Sequence, residues 1–303
     1  MPSSGPGLLL ASSHRIGAFA ARAAVLGAIA GLGACAPVAR HFMETRALTT
    51  GPNGPQTPAS AGAPFERVAI PSGPRRLDSY VVTAPAACAD APVILIYHGV
   101  QETISLWSGA QAFLYRNCVS SVVFDYTGSG DSSRPARLAA VNDDAGAAYA
   151  FARRRFPHSR VFVMGHSMGS GPMLQAAPGF SPRPDGVIVA SPFASLRAYG
   201  ERAGGFYGLL ARLTPDWWDN VRAIRDVSAP VLVVHSADDK VNPVAEGQRV
   251  FEAAREPKRL AILKGYGHNA LYQKPQAGWW GPALAFVTGG RCDPPTSKAG
   301  DCP

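Results

Sequence analysis

A serine, an acid and a histidine, each placed just after a strand-like run, could together break an acyl bond. The serine is Ser167 in Gly165-His166-Ser167-Met168-Gly169, which follows the apolar run VFVM and leads through small residues into another apolar segment. A hydroxyl is a poor nucleophile until a base takes its proton, and that base needs an acid to orient it. The flanking glycines suit a tight turn from strand to helix, where side chains have no room and the serine hydroxyl is presented at the strand's end.

Seven histidines compete for the role of base. His14 and His41 precede the folded part, and His158 lies in the turn after a helix. His98, His166 and His235 each follow a buried strand and suit structural roles. His268, in KGYGHNAL, stands in a glycine-flanked loop just after the last strand and downstream of a well-placed acid. HSADDKVNP, directly after APVLVV, offers Asp238 and Asp239 for that acid.

The elements that must position these residues alternate in type. FERVAI and LDSYVVT read as a hairpin joined by Pro71-Ser72-Gly73-Pro74. APVILIYHG, SSVVFDY, VFVMGHS, GVIVASP, APVLVVHS and RLAILKG read as strands, with helices between them, one spanning about Leu106 to Asn117. Another is expected to be capped by Asn142-Asp143-Asp144 and to stop at Pro157. This alternation predicts an α/β fold, a mostly parallel sheet with helices on both faces. Between GVIVASP and APVLVVHS an aromatic-rich insertion, about 194–227, reads as a small cap. In it Phe206, Tyr207, Trp217 and Trp218 are candidates for an apolar acyl pocket or for packing.

The chain has 303 residues, 47% hydrophobic and 17% charged, which suits a buried core rather than disorder. Its net charge of +8 is scattered, with Arg75-Arg76 and Arg153-Arg154-Arg155 as short clusters. No zinc-finger spacing, RNA-binding aromatic signature or long basic tail accompanies it, so nucleic acid is not an expected partner.

Residues 1–34 have the layout of an export signal: Arg15 and Arg22, then the apolar run Ala23 to Ala34. A membrane span is the weaker reading, because about 20 apolar residues are needed and Arg22 would fall inside it. Leu32-Gly33-Ala34-Cys35 resembles a bacterial lipobox, which implies a lipid anchor on Cys35; ordinary secretion is the alternative. Ala36 in place of Asp would, in such lipoproteins, not signal inner-membrane retention. Residues 35–64, rich in Pro, Gly, Thr and Ala, read as a flexible tether. The folded domain is expected over 65–290 and a cysteine-containing tail over 291–303. Cys88, Cys118, Cys292 and Cys302 are an even number in an oxidising compartment and suggest two bridges, of which sequence alone permits three pairings. No metal-ligand cluster is apparent.

YHGVQET at 97–103, FDYTGSGDSS at 124–133, GHSMGSG at 165–171, and HSADDKVNP with GYGH at 265–268 resemble the α/β-hydrolases. The likeness is to the group of monoglyceride-lipase-like proteins, the serine aminopeptidase family and the acyl-protein thioesterase relatives, over about Phe65 to Phe286. It implies an eight-stranded sheet in the order 1-2-4-3-5-6-7-8, with the nucleophile after strand five. It favours Asp239, four residues before Pro243, as the acid. It implies oxyanion donors at the backbone N–H groups of Met168 and Val100, with Gln101 as the less favoured choice. By placing strands three and four side by side it pairs Cys88 with Cys118, leaving Cys292 with Cys302. Ser236 departs from the pattern, since relatives have Gly after the residue matching His235.

The reading is a serine hydrolase of esters or thioesters at the bacterial cell envelope, acting through an acyl-enzyme on Ser167 with His268 and Asp239. It needs no cofactor and no metal. Its substrate would be a small-molecule or lipid acyl ester or thioester. A peptidase or amidase with the same triad, and an inactive envelope lipoprotein, are the alternatives. A soluble, secreted or periplasmic location is the alternative to a membrane-anchored one.

Overall fold

Runs such as Val93-Ile94-Leu95-Ile96-Tyr97 offer no polar face to water, so strands built from them must be covered on both sides. The computed structural model describes residues 36–289 and covers them in this way. Its eight strands are β1 (Glu66–Ser72), β2 (Arg75–Val82), β3 (Val93–Tyr97), β4 (Ser120–Phe124), β5 (Val161–His166), β6 (Gly186–Ala190), β7 (Val231–Ser236) and β8 (Lys258–Leu263). They form one sheet in the order β1-β2-β4-β3-β5-β6-β7-β8. β2 runs antiparallel to β1 and β4, and the other pairings are parallel. The α/β-hydrolase architecture expected from the resemblance is the one observed.

Side-chain alternation along the central strands divides the core. Val93, Leu95, Val161, Val163, Val231 and Val233 join the side covered by helices Leu138–Arg155, Ser170–Ala176 and Val244–Ala253. Ile94, Ile96, Phe162, Met164, Leu232 and Val234 join the side covered by Ser108–Arg116 and Ala277–Thr288, where Trp107, Trp279 and Trp280 are fully buried.

Three expectations change on folding. The segment 36–64 is not a free tether: helical residues 36–42 lead into Met43–Ala47, and the chain then lies along the domain. Leu48 and Ala63 are buried there. Thr50 Oγ1 accepts from the Gly130 N–H at 2.8 Å, and Asn53 Nδ2 donates to Asp125 at 2.7 Å and Asp78 at 3.1 Å. These polar groups pair with β2 and the loop after β4, so the segment gains partners although it lacks apolar periodicity. Asn142-Asp143-Asp144 does not cap a helix. The helix starts at Leu138, whose N–H donates to Glu44 Oε1 at 3.0 Å, a cap supplied from the N-terminal segment. Asp144 is buried inside it, accepting from Ser72 Oγ at 2.6 Å and the Thr127 N–H at 2.7 Å. Finally, β1 and β2 extend to Ser72 and from Arg75, so Gly73-Pro74 alone makes the turn.

Between β6 and β7, helices Leu196–Ala203 and Gly205–Leu213 form a hairpin through Gly204. A Cβ on Gly200 would come within 2.7 Å of the Ala211 Cβ, which is how closely the two helices pack. The hairpin is tied at its base by the Leu196 N–H to the Trp218 carbonyl at 2.9 Å and Arg197 Nη2 to the Thr214 carbonyl at 3.0 Å.

Cys88 and Cys118 are disulfide-bonded, with Cα atoms 5.5 Å apart, at the entrances of the neighbouring β3 and β4. Cys35, Cys292, Cys302, the signal and the tail lie outside the described residues. The bridge closes a loop with a sequence separation of 30. Cys88→Ser is therefore expected to lower the unfolding free energy by about 2–4 kcal/mol, through the freedom returned to the unfolded chain. Denaturant titration of oxidised wild type and variant checks this.

Candidate active site

β5 ends at His166 deep in the sheet, and the chain must reverse into helix Ser170–Ala176 within three residues. It does so by placing Ser167 at φ 51°, in the left-handed region. Gly165 and Gly169 make the turn possible. A Cβ on Gly165 would lie 2.7 Å from the Ser170 Cα, and one on Gly169 would collide with the Tyr97 carbonyl. The turn lifts Ser167 Oγ to the C-terminal edge of the parallel sheet.

Two other loops reach the same edge. After β7, Asp239 Oδ1 accepts from the N–H groups of Val241 at 2.8 Å and Asn242 at 2.9 Å, which leaves Oδ2 free to face His268. After β8, the loop through Gly265 and Gly267 carries His268, whose Nδ1 lies 2.7 Å from Asp239 Oδ2. His268 Nε2 lies 2.9 Å from Ser167 Oγ. An ionised carboxylate only accepts, so Nδ1 carries the ring proton and Nε2 accepts from the serine hydroxyl. Burial opposes ionisation of Asp239, but the hydrogen bond and charge of His268 and the two backbone N–H groups outweigh it. Its pKa lies below the ordinary aspartate value. Asp238 is committed elsewhere, accepting from the Gly265 N–H at 2.6 Å. Ser167, Asp239 and His268 therefore form one hydrogen-bonded chain, and Asp238 is outside it.

The three histidines at the C-terminal ends of β3, β5 and β7 have structural partners. His235 Nε2 is 2.8 Å from the Asn242 carbonyl, and burial lowers its pKa. His98 Nδ1 donates to the Gly99 carbonyl at 2.9 Å, and its Nε2 faces Asp125 at 3.4 Å. Burial lowers the His98 pKa, but hydrogen bonding and charge from Asp125 outweigh this and raise it. His166 Nε2 donates to the His268 carbonyl at 3.1 Å.

Ser167 and His268 open into a cavity of about 620 Å³. Val100 and Met168 line it beside them, Leu196, Tyr199, Tyr207, Leu210 and Trp217 wall it from the insertion, and Ala39, Phe42 and Ala47 wall it from the N-terminal segment. Of the four aromatic candidates, Tyr207 and Trp217 reach the cavity. Trp218 is buried and donates from Nε1 to Asn142 at 3.0 Å, while Phe206 points out, 65% exposed. The Gln101 side chain donates to the Arg46 carbonyl at 2.6 Å, and no hydrogen bond among the described residues takes up the Val100 N–H.

Three residues that support the site carry no assignment in the sequence reading. Buried Glu102 accepts from the Gly99 N–H at 2.7 Å and Trp107 Nε1 at 2.9 Å, and lies 3.1 Å from His166 Nδ1. Burial raises its pKa, but the charge and hydrogen bonding of His166 outweigh this and lower it. Ser236 Oγ donates to the Tyr266 carbonyl at 2.6 Å and accepts from the Asp238 N–H at 3.2 Å, so it joins the acid loop to the histidine loop. Phe42 lines the cavity from a segment without apolar periodicity. YHGVQET contains Glu102, and the Ser236 departure was visible, but neither has a local pattern that announces its partners.

Residues 89–223 match the family model described as serine aminopeptidase, S33, a range that includes Ser167 and ends before Asp239 and His268. A lysophosphatidylserine lipase from Danio rerio is 28% identical over 218 residues, 61% of this chain and 56% of that protein. An uncharacterised Mycobacterium tuberculosis protein is 29% identical over 181 residues, 59% of this chain and 63% of that one. The chain thus spans little more than half the length of the curated relatives it matches. Among solved structures, an esterase from Pyrococcus furiosus superposes with a TM-score of 0.63 at 15% identity, over 80% of this chain and 97% of that one. An esterase domain from Rhodothermus marinus gives 0.54 at 18%, over 74% and 98%. The strand order, the turn at Ser167 and these likenesses together show an α/β-hydrolase fold.

Proposed function

We propose that the chain is a serine hydrolase that cleaves carboxylic esters or thioesters through an acyl-enzyme on Ser167. The observation that carries this reading is the chain Asp239–His268–Ser167, with spacings of 2.7 and 2.9 Å, opening into a largely apolar cavity. Ser167 Oγ attacks the carbonyl carbon while His268 Nε2 takes its proton. The oxyanion accepts from the N–H groups of Met168 and Val100, each donor contributing about 2.7–4 kcal/mol to the barrier reduction. On collapse, the leaving alkoxide or thiolate takes the proton from His268. A water then attacks the acyl carbon with His268 again as base, the Ser167 oxygen recovers its proton, and the acid departs. Asp239 holds the imidazole in the right tautomer and stabilises its cation.

Lipid acyl esters are the substrate class the surroundings favour. The cavity volume lies within the roughly 300–1,000 Å³ of small-molecule sites, its walls are mostly apolar, and a relative is a lysophosphatidylserine lipase. The family description supports a second reading, an aminopeptidase. Such a substrate brings a free ammonium, and Glu102 is the acid lining the cavity among the described residues. Its oxygens already face Gly99, Trp107 and His166, which weighs against that reading. We place the protein at the cell envelope, anchored by a lipid on Cys35 after removal of residues 1–34.

Labelling with a fluorophosphonate probe, followed by an ester, thioester and amide series, tests the chemistry. Ser167→Ala and His268→Ala are each expected to lower kcat by roughly four to six orders of magnitude, with unfolding midpoints near wild type. Unlabelled, well-folded wild type would argue for an inactive site. Asp239→Asn should reduce kcat by about 10⁴-fold, because the imidazole loses its tautomeric control. Asp238→Asn should stay close to wild type, and the opposite ranking would move the acid to Asp238. In a bacterial host, Cys35→Ser should abolish fatty-acid labelling of the protein and render it extractable from membranes by high salt. Unchanged labelling removes the lipobox reading.

A further inference from the structure

Ten large hydrophobic side chains are exposed among the described residues, and they are not scattered. Val38 and Phe42 lie on the helical residues 36–42, and Tyr199, Phe206, Tyr207 and Leu209 lie on the hairpin of Leu196–Ala203 and Gly205–Leu213. The two segments touch at Phe42 and Tyr207, with ring centroids 5.8 Å apart. Two more of the ten, Val100 and Val241, line the cavity itself. Single exposed hydrophobes are ordinary, but their concentration around one opening marks a contact surface. Gly205–Leu213 reads GFYGLLARL, with one charge in nine residues and Gly208 as its buried position. A helix so apolar, with its large side chains turned outward, is poorly matched to water.

Two observations select the occupant. Residues 36–47 and 196–213 carry five arginines against two glutamates. Arg40, Arg202 and Arg212 face carboxylates, at 3.4, 3.1 and 3.2 Å, while Arg46 and Arg197 have no carboxylate partner among the described residues. Apolar side chains mixed with arginine suit an anionic lipid surface, where the rings enter the acyl boundary and the guanidinium groups meet phosphates. The order of segments along the sequence agrees. The apolar run of residues 23–34 and Cys35 directly precede the helical residues 36–42 that bear Val38 and Phe42. An anchor at either would tether the chain within a few residues of this patch.

We propose that this face docks on an anionic phospholipid bilayer, with Phe206 and Leu209 inserted and the cavity mouth turned toward the lipid. Acyl substrate would then enter from the membrane rather than from water. The entry route rests on the hydrolase reading, and the docking does not.

The test uses the full chain and mixed phosphatidylcholine–phosphatidylglycerol vesicles. Phe206→Trp places a fluorophore on the patch, and brominated acyl chains should quench its emission well beyond the quenching of wild type. Equal quenching of variant and wild type overturns the docking. Equal quenching of the variant in pure phosphatidylcholine overturns the choice of an anionic surface. The double variant Phe206→Ser/Leu209→Ser alters side chains that do not line the cavity. It should lower hydrolysis of a vesicle-embedded long-chain ester at least about tenfold, since the enzyme loses its local concentration at the membrane. Turnover of a soluble short-chain ester should stay at the wild-type rate. Equal loss on both esters overturns the entry route. If wild type is quenched on the patch yet cleaves neither ester, the hydrolase reading fails and the docking stands. A wild-type dimer that the double variant converts to monomers, with no quenching, assigns the patch to a second copy and overturns the proposal.

Discussion

Ser167 sits in a backbone region that residues with side chains avoid, and the C-terminal edge of the sheet is arranged to hold it there. Such a conformation costs roughly 1–3 kcal/mol and persists only where its surroundings over-determine it. β5 is paired on both sides, by β3 and β6, so the strand cannot shift to relax the turn. Helix Ser170–Ala176 is fixed from the other side. Ser170 Oγ donates to the Ser167 carbonyl at 2.6 Å and accepts from Asn220 Nδ2 at 2.9 Å, and a Cβ on Gly171 would come within 2.7 Å of the Trp218 ring. Trp218 and Asn220 flank the base of the helical hairpin. The same contacts that hold the serine therefore also seat the wall of the cavity.

Polar groups then lock three loops that share no strand. A buried carboxylate is costly unless its oxygens are satisfied. Glu102 Oε2 accepts from the Gly99 N–H and Trp107 Nε1, and Oε1 faces His166 Nδ1 at 3.1 Å, so moving the loop after β3 would strip the charge of these partners. His166 in turn holds the His268 carbonyl, and Ser236 holds the Tyr266 carbonyl two residues before His268. A glycine in place of Ser236 would leave that second tie unmade. The departure from the resembling proteins is thus accommodated by hydrogen bonds rather than by distortion: Asp239 still reaches His268 at 2.7 Å.

What could be read from the sequence was what local pattern encodes. Buried parallel strands announce themselves as apolar runs, and glycines around Ser167 and His268 mark turns whose chain order carries the resemblance to α/β-hydrolases. The sheet order came from resemblance, because nothing in a strand's own residues names its neighbour. The packed segment 48–64 escaped for a physical reason. Its anchors, Thr50 and Asn53, act singly across about 25 to 80 residues of sequence, where no periodicity accumulates. Asn142-Asp143-Asp144 misled because its composition suits a cap, whereas Glu44 supplies the cap from elsewhere and Asp144 serves a buried network. Glu102 lies in a quoted motif, yet its role depends on Trp107 and His166 converging from separate elements.

The division between sheet and insertion also bears on selectivity. The groups that would act on the acyl bond hang from β3, β5, β7 and β8, while the far walls of the cavity come from the hairpin and the N-terminal segment. Those walls are mainly aliphatic and aromatic, and apolar walls discriminate weakly, at about 1–3 kcal/mol per methylene. Strong rejection of an analogue requires buried polar groups that the wrong substrate leaves unpaired. Glu102 and Arg197 are the charged side chains lining the cavity among the described residues. Glu102 already accepts two hydrogen bonds on Oε2, and Arg197 spends one guanidinium nitrogen on the Thr214 carbonyl. On the proposed reading, such a site would sort acyl groups by length and shape, and leave the leaving group to be chosen by what reaches the cavity mouth.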